Sequence, residues 1–208
     1  MTTMASEGRA TVVYLRGPTR EPFSFALGKY ERSVEMCQQR HVYTSPDDER
    51  ALWWADGAWY LGSKGSVGKR SGFLTAKENT DVPEDIAVAW SSASADNGWV
   101  DCQVECITEE VHTRAVAESL ANASAVVYLS GTLSGGVNAI CLGAYARQPG
   151  PLISDRHTYL KEVSAVGPLM MWSVGGSWYV GQPADVGTRR GLLTVEDDSV
   201  VPEKVTAT

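Results

Sequence analysis

The 208-residue sequence lacks the short motifs by which many enzymes and metal-binding proteins are recognised. It contains no P-loop, no G-x-S-x-G elbow, no H-E-x-x-H pair, no dinucleotide-binding fingerprint and no EF-hand loop. Histidine is scarce, with three residues in the chain. No duplicated carboxylate or cysteine accompanies the histidines, so the sequence predicts no catalytic dyad or triad, and we predict no cofactor.

Cysteine is also sparse, at four residues. Cys102, Cys106 and His112 form the spacing C-x3-C-x5-H, whereas structural zinc sites usually use C-x2-C or C-x4-C and need a fourth ligand. No fourth ligand stands out, so we predict no metal site. We interpret Cys102 and Cys106 as small apolar residues on one face of a strand.

Positive charge and long apolar runs are missing as well. The formal net charge of −7 at pH 7 argues against nucleic acid or an anionic membrane as the main partner. No run approaches the roughly 18–20 apolar residues of a membrane span, and the start of the chain, MTTMASEGRA, has no apolar segment typical of a secretory signal. We therefore expect a soluble globular protein that is cytoplasmic or organellar rather than secreted.

The sequence does contain a tandem duplication. TVVYLRG at 11–17 recurs as AVVYLSG at 125–131, an offset of 114. The offset is 115 for LGKY and LGAY, 116 for RHVY and RHTY, and 119 from Trp59 onward. Nearly half of the positions from Trp59 to Glu84 are identical to those 119 residues later. Because the offset changes between predicted strands, we expect the insertions to lie in turns.

One insertion is predicted at a hairpin tip. Trp54 and Trp172 match at an offset of 118, which makes WADGAW one residue shorter than WSVGGSW. Trp53 then corresponds to Met171, on a strand face that is apolar in both copies without being specifically aromatic. Such a face favours contact between the repeats or with a partner. The interface candidates are Trp53, Met171, Trp90 and Trp99.

Each copy is predicted to contain about six short strands, separated by Gly, Pro, Asn and Asp. Residues 86–90 and 99–107 predict two further strands after the first copy, and the following residues predict a helix capped by Thr108. The predicted fold is mainly β, with two tandem antiparallel β-meander repeats related by a pseudo-two-fold and one connecting helix near 108–121. The predicted domains are a first repeat with two closing strands (1–107), a helical linker (108–122) and a shorter second repeat (123–208).

Residues that are kept in both copies are the candidates for ligand binding. They come from the motifs R-H-x-Y and G-x-R-x-G, whose side chains could bind a sugar or an anion at two equivalent sites. The alternative is that the matched residues build cores and turns, since large aromatic residues dominate the cores of small β-domains. The ligand-binding candidates are His41, Tyr43, Arg70, His157, Tyr159 and Arg189.

The pattern LGKY, RHVY, LWWADGAWYLG, GFLT and VPEDIAVAW resembles a Trp- and Gly-rich β-repeat, W-x4-W-Y-x-G, of modular proteins from algae, other protists and some invertebrates. The resemblance covers most of each copy. This sequence departs from the pattern in the second copy, where the closing tryptophan strands are absent. The resemblance implies an interaction or ligand-binding module and carries no catalytic residues.

Together these features predict a non-catalytic protein-interaction module or an accessory subunit of a larger assembly, whose partner is another protein. The alternative is a lectin-like protein that binds a carbohydrate or small ligand at two equivalent sites. A third hypothesis is an enzyme with a cleft between the repeats, because sites can be assembled from scattered residues.

Overall fold

The computed structural model describes residues 9–17, 23–94, 98–133 and 138–206. These residues form two curled antiparallel sheets and one helix, so the mainly β prediction is confirmed. The chain divides into two compact units, unit 1 (Met1–Arg114) and unit 2 (Ala115–Thr208). Residues 1–8, which form most of the segment tested for a secretory signal, lie outside the described residues, as do 95–97 of the polar loop between the predicted closing strands.

Unit 1 contains a sheet of nine strands. Their bounds are β1 (Val12–Arg16), β2 (Gly28–Cys37), β3 (Arg40–Thr44), β4 (Arg50–Ala55), β5 (Ala58–Ser63), β6 (Leu74–Ala76), β7 (Trp90–Ala93), β8 (Trp99–Cys102) and β9 (Glu105–Thr108). The order in the sheet is β8-β7-β6-β5-β4-β3-β2-β1-β9. The chain therefore runs as a meander from β1 to β8, and β9 then adds to the other side of β1.

The predicted strand at 99–107 is wrong in one respect, because it is two strands at opposite edges of the sheet. Gln103 and Val104 alone join β8 to β9. Cys102, Val104 and Cys106 are nevertheless all buried, as their alternate spacing predicts. The curled sheet brings its two edges close enough for a two-residue connection.

The other closing strand begins at Trp90 rather than at Ile86. The backbone N–H groups of Ala87 and Val88 donate to Glu78 Oε2, at 2.6 and 3.0 Å. These donors are thereby used by a side chain instead of a neighbouring strand, which keeps the segment out of the sheet.

The helix predicted near 108–121 is confirmed as α1 (Glu109–Ala121). The N–H of Val111 donates to Thr108 Oγ1 at 3.4 Å, and two glutamates occupy the first turn, where the helix dipole favours negative charge. None of its residues is fully buried, and Val111 is exposed. The boundary between the two units falls within this helix.

Unit 2 contains a sheet of six strands in sequence order. Their bounds are β10 (Val126–Leu129), β11 (Gly143–Arg147), β12 (Tyr159–Lys161), β13 (Leu169–Val174), β14 (Ser177–Gly181) and β15 (Leu193–Glu196). Among the described residues of this unit, no strands take the places that β7, β8 and β9 occupy in unit 1. The sheet of unit 2 therefore ends at β10 on one side and at β15 on the other.

The β4–β5 and β13–β14 hairpins have turns of the same length, two residues each. Trp53 pairs with Tyr60, and Trp172 pairs with Tyr179. Each hairpin turns through two residues with positive φ, which suits the twist of the strands. No residue is inserted at the second tip, so the predicted insertion is wrong, and Trp172 corresponds to Trp53 rather than to Trp54.

The extra residues lie in another connection. The offset is 116 at Tyr43 and Tyr159 and 119 at Trp53 and Trp172, so three extra residues lie between Tyr159 and Trp172. The connection between β12 and β13 has seven residues, and the one between β3 and β4 has five. At an offset of 119, Met171 corresponds to Leu52. Both side chains are buried in the main core of their own unit.

The two matched indoles make the same contacts. Trp53 Nε1–H donates to the Lys69 carbonyl at 3.0 Å, and Trp172 Nε1–H donates to the Thr188 carbonyl at 2.9 Å. A Cβ on Gly62 would lie 2.9 Å from Trp53 Cη2, closer than real Cβ contacts allow. The glycine at this position of β5 is therefore required by the close approach of the ring.

The glutamate of each VPE motif accepts a backbone hydrogen bond from the residue two positions before the first strand of its unit. Glu84 Oε1 accepts the backbone N–H of Ala10 at 2.9 Å, and Glu203 Oε1 accepts that of Ser124 at 2.8 Å. Burial alone would raise the pKa of Glu203, but hydrogen bonds from Ser124 and from its own backbone lower it, with a net shift below the ordinary value.

Candidate functional site

The two candidate tyrosines lie inside the cores. Tyr43 and Tyr159 are 1% and 0% exposed, and each packs edge-on against a tryptophan of its unit, with ring centroids 6.5 and 6.4 Å apart. Burial raises the pKa of Tyr159 to about 12 and raises that of Tyr43 as well. Their rings are occupied by packing, which matches the structural alternative for these positions.

The two candidate histidines have different surroundings. His41 Nδ1 lies 3.2 Å from the Ser33 carbonyl, on the neighbouring strand β2, whereas His157 Nε2 lies 3.2 Å from the Leu120 carbonyl in α1. Each nitrogen has a backbone oxygen as its hydrogen-bond partner. The contacts of the two residues therefore do not describe one duplicated site.

Arg70 and Arg189 are exposed, and neither forms an ion pair with another described residue. The glycines around them have structural causes. Gly68 and Gly187 both have φ of +83°, and a Cβ on Gly72 would lie 2.5 Å from the Leu61 carbonyl oxygen. The first glycine of G-x-R-x-G is thus explained by its turn conformation, and Gly72 by the close approach of the backbone.

A different matched pair of arginines is engaged, and neither was among the candidates predicted from the sequence. Arg40 Nη2 donates to Asn79 Oδ1 at 2.6 Å, and its guanidinium lies 3.8 Å from the centre of the Trp54 ring. Arg156 Nη2 donates to Asp198 Oδ1 at 2.6 Å and to the Asp198 carbonyl at 3.0 Å. Arg40 holds the segment after β6, and Arg156 holds the segment after β15. Their shared position in R-H-x-Y was the available signal.

Three of the four interface candidates are buried within their own unit. Trp53 is 0%, Trp90 1% and Met171 5% exposed. Trp53 lies in a second, smaller cluster on the opposite face of its strand from Leu52. Val67 and the Lys69 carbonyl lie against Trp53 on that face, whereas Trp90 and Met171 pack in the main cores of their units. These side chains therefore offer almost no surface to a partner. Trp99, on the edge strand β8, keeps 40% of its surface exposed.

A shallow groove of about 470 Å³ lies at the seam of the unit 1 sheet. Residues 86–90 form one wall, and Val104–Ile107 of the β9 region form the other. Cys106 faces this seam but is buried, and burial raises the pKa of its thiol. A protonated, buried thiol is a poor nucleophile, so the groove contains no activated cysteine.

The largest difference between the units is at their first strands. In unit 1, β1 lies between β2 and β9, and the ring of Tyr14 is stacked on His112 of α1 at a centroid distance of 3.7 Å and an interplanar angle of 3°. In unit 2, β11 is the single neighbour of β10 among the described strands. Tyr128, which matches Tyr14, is 76% exposed.

The surface beside β10 is apolar and uncharged. Tyr128 pairs with Ala144 and Val126 with Ala146, and all four side chains are exposed. At the matched positions of β2, unit 1 has an ion pair in which Lys29 Nζ lies 2.6 Å from Glu31 Oε1. An open strand edge next to exposed apolar side chains is the arrangement by which sheets add a further strand. We call this surface, formed by Val126, Tyr128, Ala144 and Ala146, the β10 edge.

The described residues contain no group of three or more His, Cys, Asp or Glu side chains that could hold a metal ion. No helix among the described residues is long and apolar enough to cross a membrane. Comparison with protein-family models, with curated proteins and with solved structures gives no match.

Proposed function

We propose that the protein is a non-catalytic protein-interaction module, in which the open strand edges of unit 2 form the surface that binds another protein. The observation that carries the proposal is the difference in strand number between the two copies. Among the described residues, nine strands form the sheet of unit 1 and six form that of unit 2, where β10 and β15 are the edges. Exposed sheet edges are sites at which proteins add strands from a partner.

The proposal treats the two units as copies of one repeat related by a pseudo-two-fold, as the sequence predicts. The equal hairpins and the matched indole contacts support this relationship. On this basis β7, β8 and β9 belong to the sheet of the first unit, and β10 and β15 are the edges at which the described part of the second unit can receive strands from a partner.

The carbohydrate-binding alternative has less support. A sugar site would need exposed ring faces, and both candidate tyrosines have theirs buried. An enzymatic function would need an acid, base or nucleophile in a pocket, and the seam groove of unit 1 contains only the buried thiol of Cys106 and the exposed Glu105.

Site-specific photo-crosslinking tests the proposed function. A photoreactive phenylalanine analogue is placed at Tyr128 on β10, at Thr194 on β15, or at Val34 on β2 as a control that is 99% exposed. In an extract of the source cells, we expect the same partner protein to be crosslinked from one or both edges and not from Val34. Equal adducts at Val34, or no adduct at either edge, would contradict the proposal.

A further inference from the structure

Unit 1 shows which segment covers the first strand of the repeat. There, β9 pairs with β1 in the register Tyr14 to Ile107 and Leu15 to Cys106. The chain then enters α1, whose first turns bring His112 onto the Tyr14 ring. One continuous strand–helix segment thus covers both the backbone edge and the exposed ring.

The backbone of β10 has the same polarity as that of β1. The Ala125 carbonyl accepts the N–H of Arg147 on β11 at 2.8 Å, just as the Thr11 carbonyl accepts that of Arg32 on β2 at 2.8 Å. In an antiparallel pair, successive residues direct their N–H and C=O groups to opposite sides. The backbone groups of Tyr128, and those of Val126 two residues before it, therefore point away from β11 toward the open side.

We propose that the β10 edge binds a strand–helix segment of a partner protein that is chemically similar to residues 104–112 of this chain. The inference rests on the proposed function and specifies its partner. The segment has an apolar residue opposite Tyr128, as Ile107 is opposite Tyr14, and a small apolar residue facing the core opposite Leu129, as Cys106 is opposite Leu15. A histidine or aromatic ring in the first turns of its helix then stacks on Tyr128.

Charge distinguishes this segment from β9 itself. Arg16 of β1 forms an ion pair with Glu105 of β9 at 2.9 Å, and the residue matched to Arg16 in unit 2 is Ser130. Ala144 and Ala146 on β11 occupy the positions that Lys29 and Glu31 occupy on β2. The partner segment consequently needs no acidic residue at the position of Glu105, and its contact surface is apolar and uncharged.

The test uses the chain's own segment as a probe. A labelled peptide of residues 103–116, QVECITEEVHTRAV, is kept reduced and titrated into the full-length protein, in which β1 is already covered by its own β9. We expect saturable binding, with amide chemical-shift changes concentrated at residues 126–129. A control peptide with Ile107→Pro lacks the N–H that faces the strand edge and should not bind.

The ring contact is tested by a double-mutant cycle. Tyr128→Ala in the protein and His112→Ala in the peptide should each weaken binding by roughly threefold to tenfold, and the combination should cost little more than either change alone. Tyr128→Phe keeps the ring and should retain binding. Because Tyr128 is 76% exposed, the variants should keep the circular dichroism spectrum of the parent protein.

Several outcomes would overturn the inference. These are tight binding of the Ile107→Pro peptide, shift changes at β15 in place of β10, or additive losses in the cycle. A dimer of the unliganded protein that dissociates on Tyr128→Lys would show that a second copy covers the edge. Failure of the peptide to bind, combined with crosslinking of a partner from Thr194, would refute this inference and leave the proposed function standing.

Discussion

Replacement of Trp53 and Trp54 by phenylalanine tests which tryptophan belongs to the repeated core. Trp53 is fully buried and donates to the Lys69 carbonyl at 3.0 Å. Trp53→Phe removes roughly 40 Å² of buried apolar surface, or about 1 kcal/mol. The lost hydrogen bond costs about 1 kcal/mol more. We therefore expect the unfolding free energy of unit 1 to fall by about 2 kcal/mol.

Trp54→Phe should behave differently. Trp54 is half-buried, and its Nε1 is enclosed without a hydrogen-bond acceptor among the described residues. Phenylalanine removes this unsatisfied donor and keeps a ring face for the guanidinium of Arg40. We expect a loss of less than about 0.5 kcal/mol.

Because the chain contains two units, the effect should be measured locally. Hydrogen exchange of the β4 and β5 amides reports the stability of unit 1, and guanidinium unfolding followed by circular dichroism supports it. Trp172→Phe in unit 2 is the matched variant, and it should cost as much as Trp53→Phe, since its Nε1–H also donates to a backbone carbonyl. If Trp54→Phe proves as costly as Trp53→Phe, the correspondence of Trp172 with Trp53 is refuted.

Three further predictions follow from single contacts. Gly72→Ala should destabilise unit 1 by about 1–3 kcal/mol in denaturant unfolding, because its Cβ would meet a carbonyl oxygen at 2.5 Å, whereas Gly65→Ala, with no atom within 4 Å, should be neutral or slightly stabilising. The folded-state pKa of Glu203 lies below its ordinary value, so its contribution to unit 2 is present above the ordinary pKa and is lost as pH falls through the folded-state pKa. In acid-unfolding curves Glu203→Gln should remove this dependence, and an unchanged curve would contradict it. Alkylation followed by mass spectrometry should modify Cys106 only when the protein unfolds, since burial raises the pKa of its thiol.

The sequence predicted the β4–β5 hairpin and the helix well because their signals are local, but it assigned the buried Trp53 and Trp90 to an interface. Alternation and the turn residues define the β4–β5 hairpin, and a capping threonine with two glutamates marks the start of α1. The sequence analysis matched Trp172 with the wrong residue. Trp53 and Trp54 are adjacent, and either of them gives an identical match to Trp172. A constant offset of 119 through the hairpin, which points to Trp53, would have produced the pairing that the strand register shows.

The sequence alone determined that the chain is mainly β, and it predicted the internal duplication. Only the tertiary structure decided which side chains are covered. Tyr14 and Tyr128 occupy matched positions in nearly identical segments, yet one is stacked on His112 and the other is 76% exposed. Exposure depends on which distant strand lies alongside, and β9 reaches β1 from about ninety residues away in the chain. Local sequence patterns do not contain that contact.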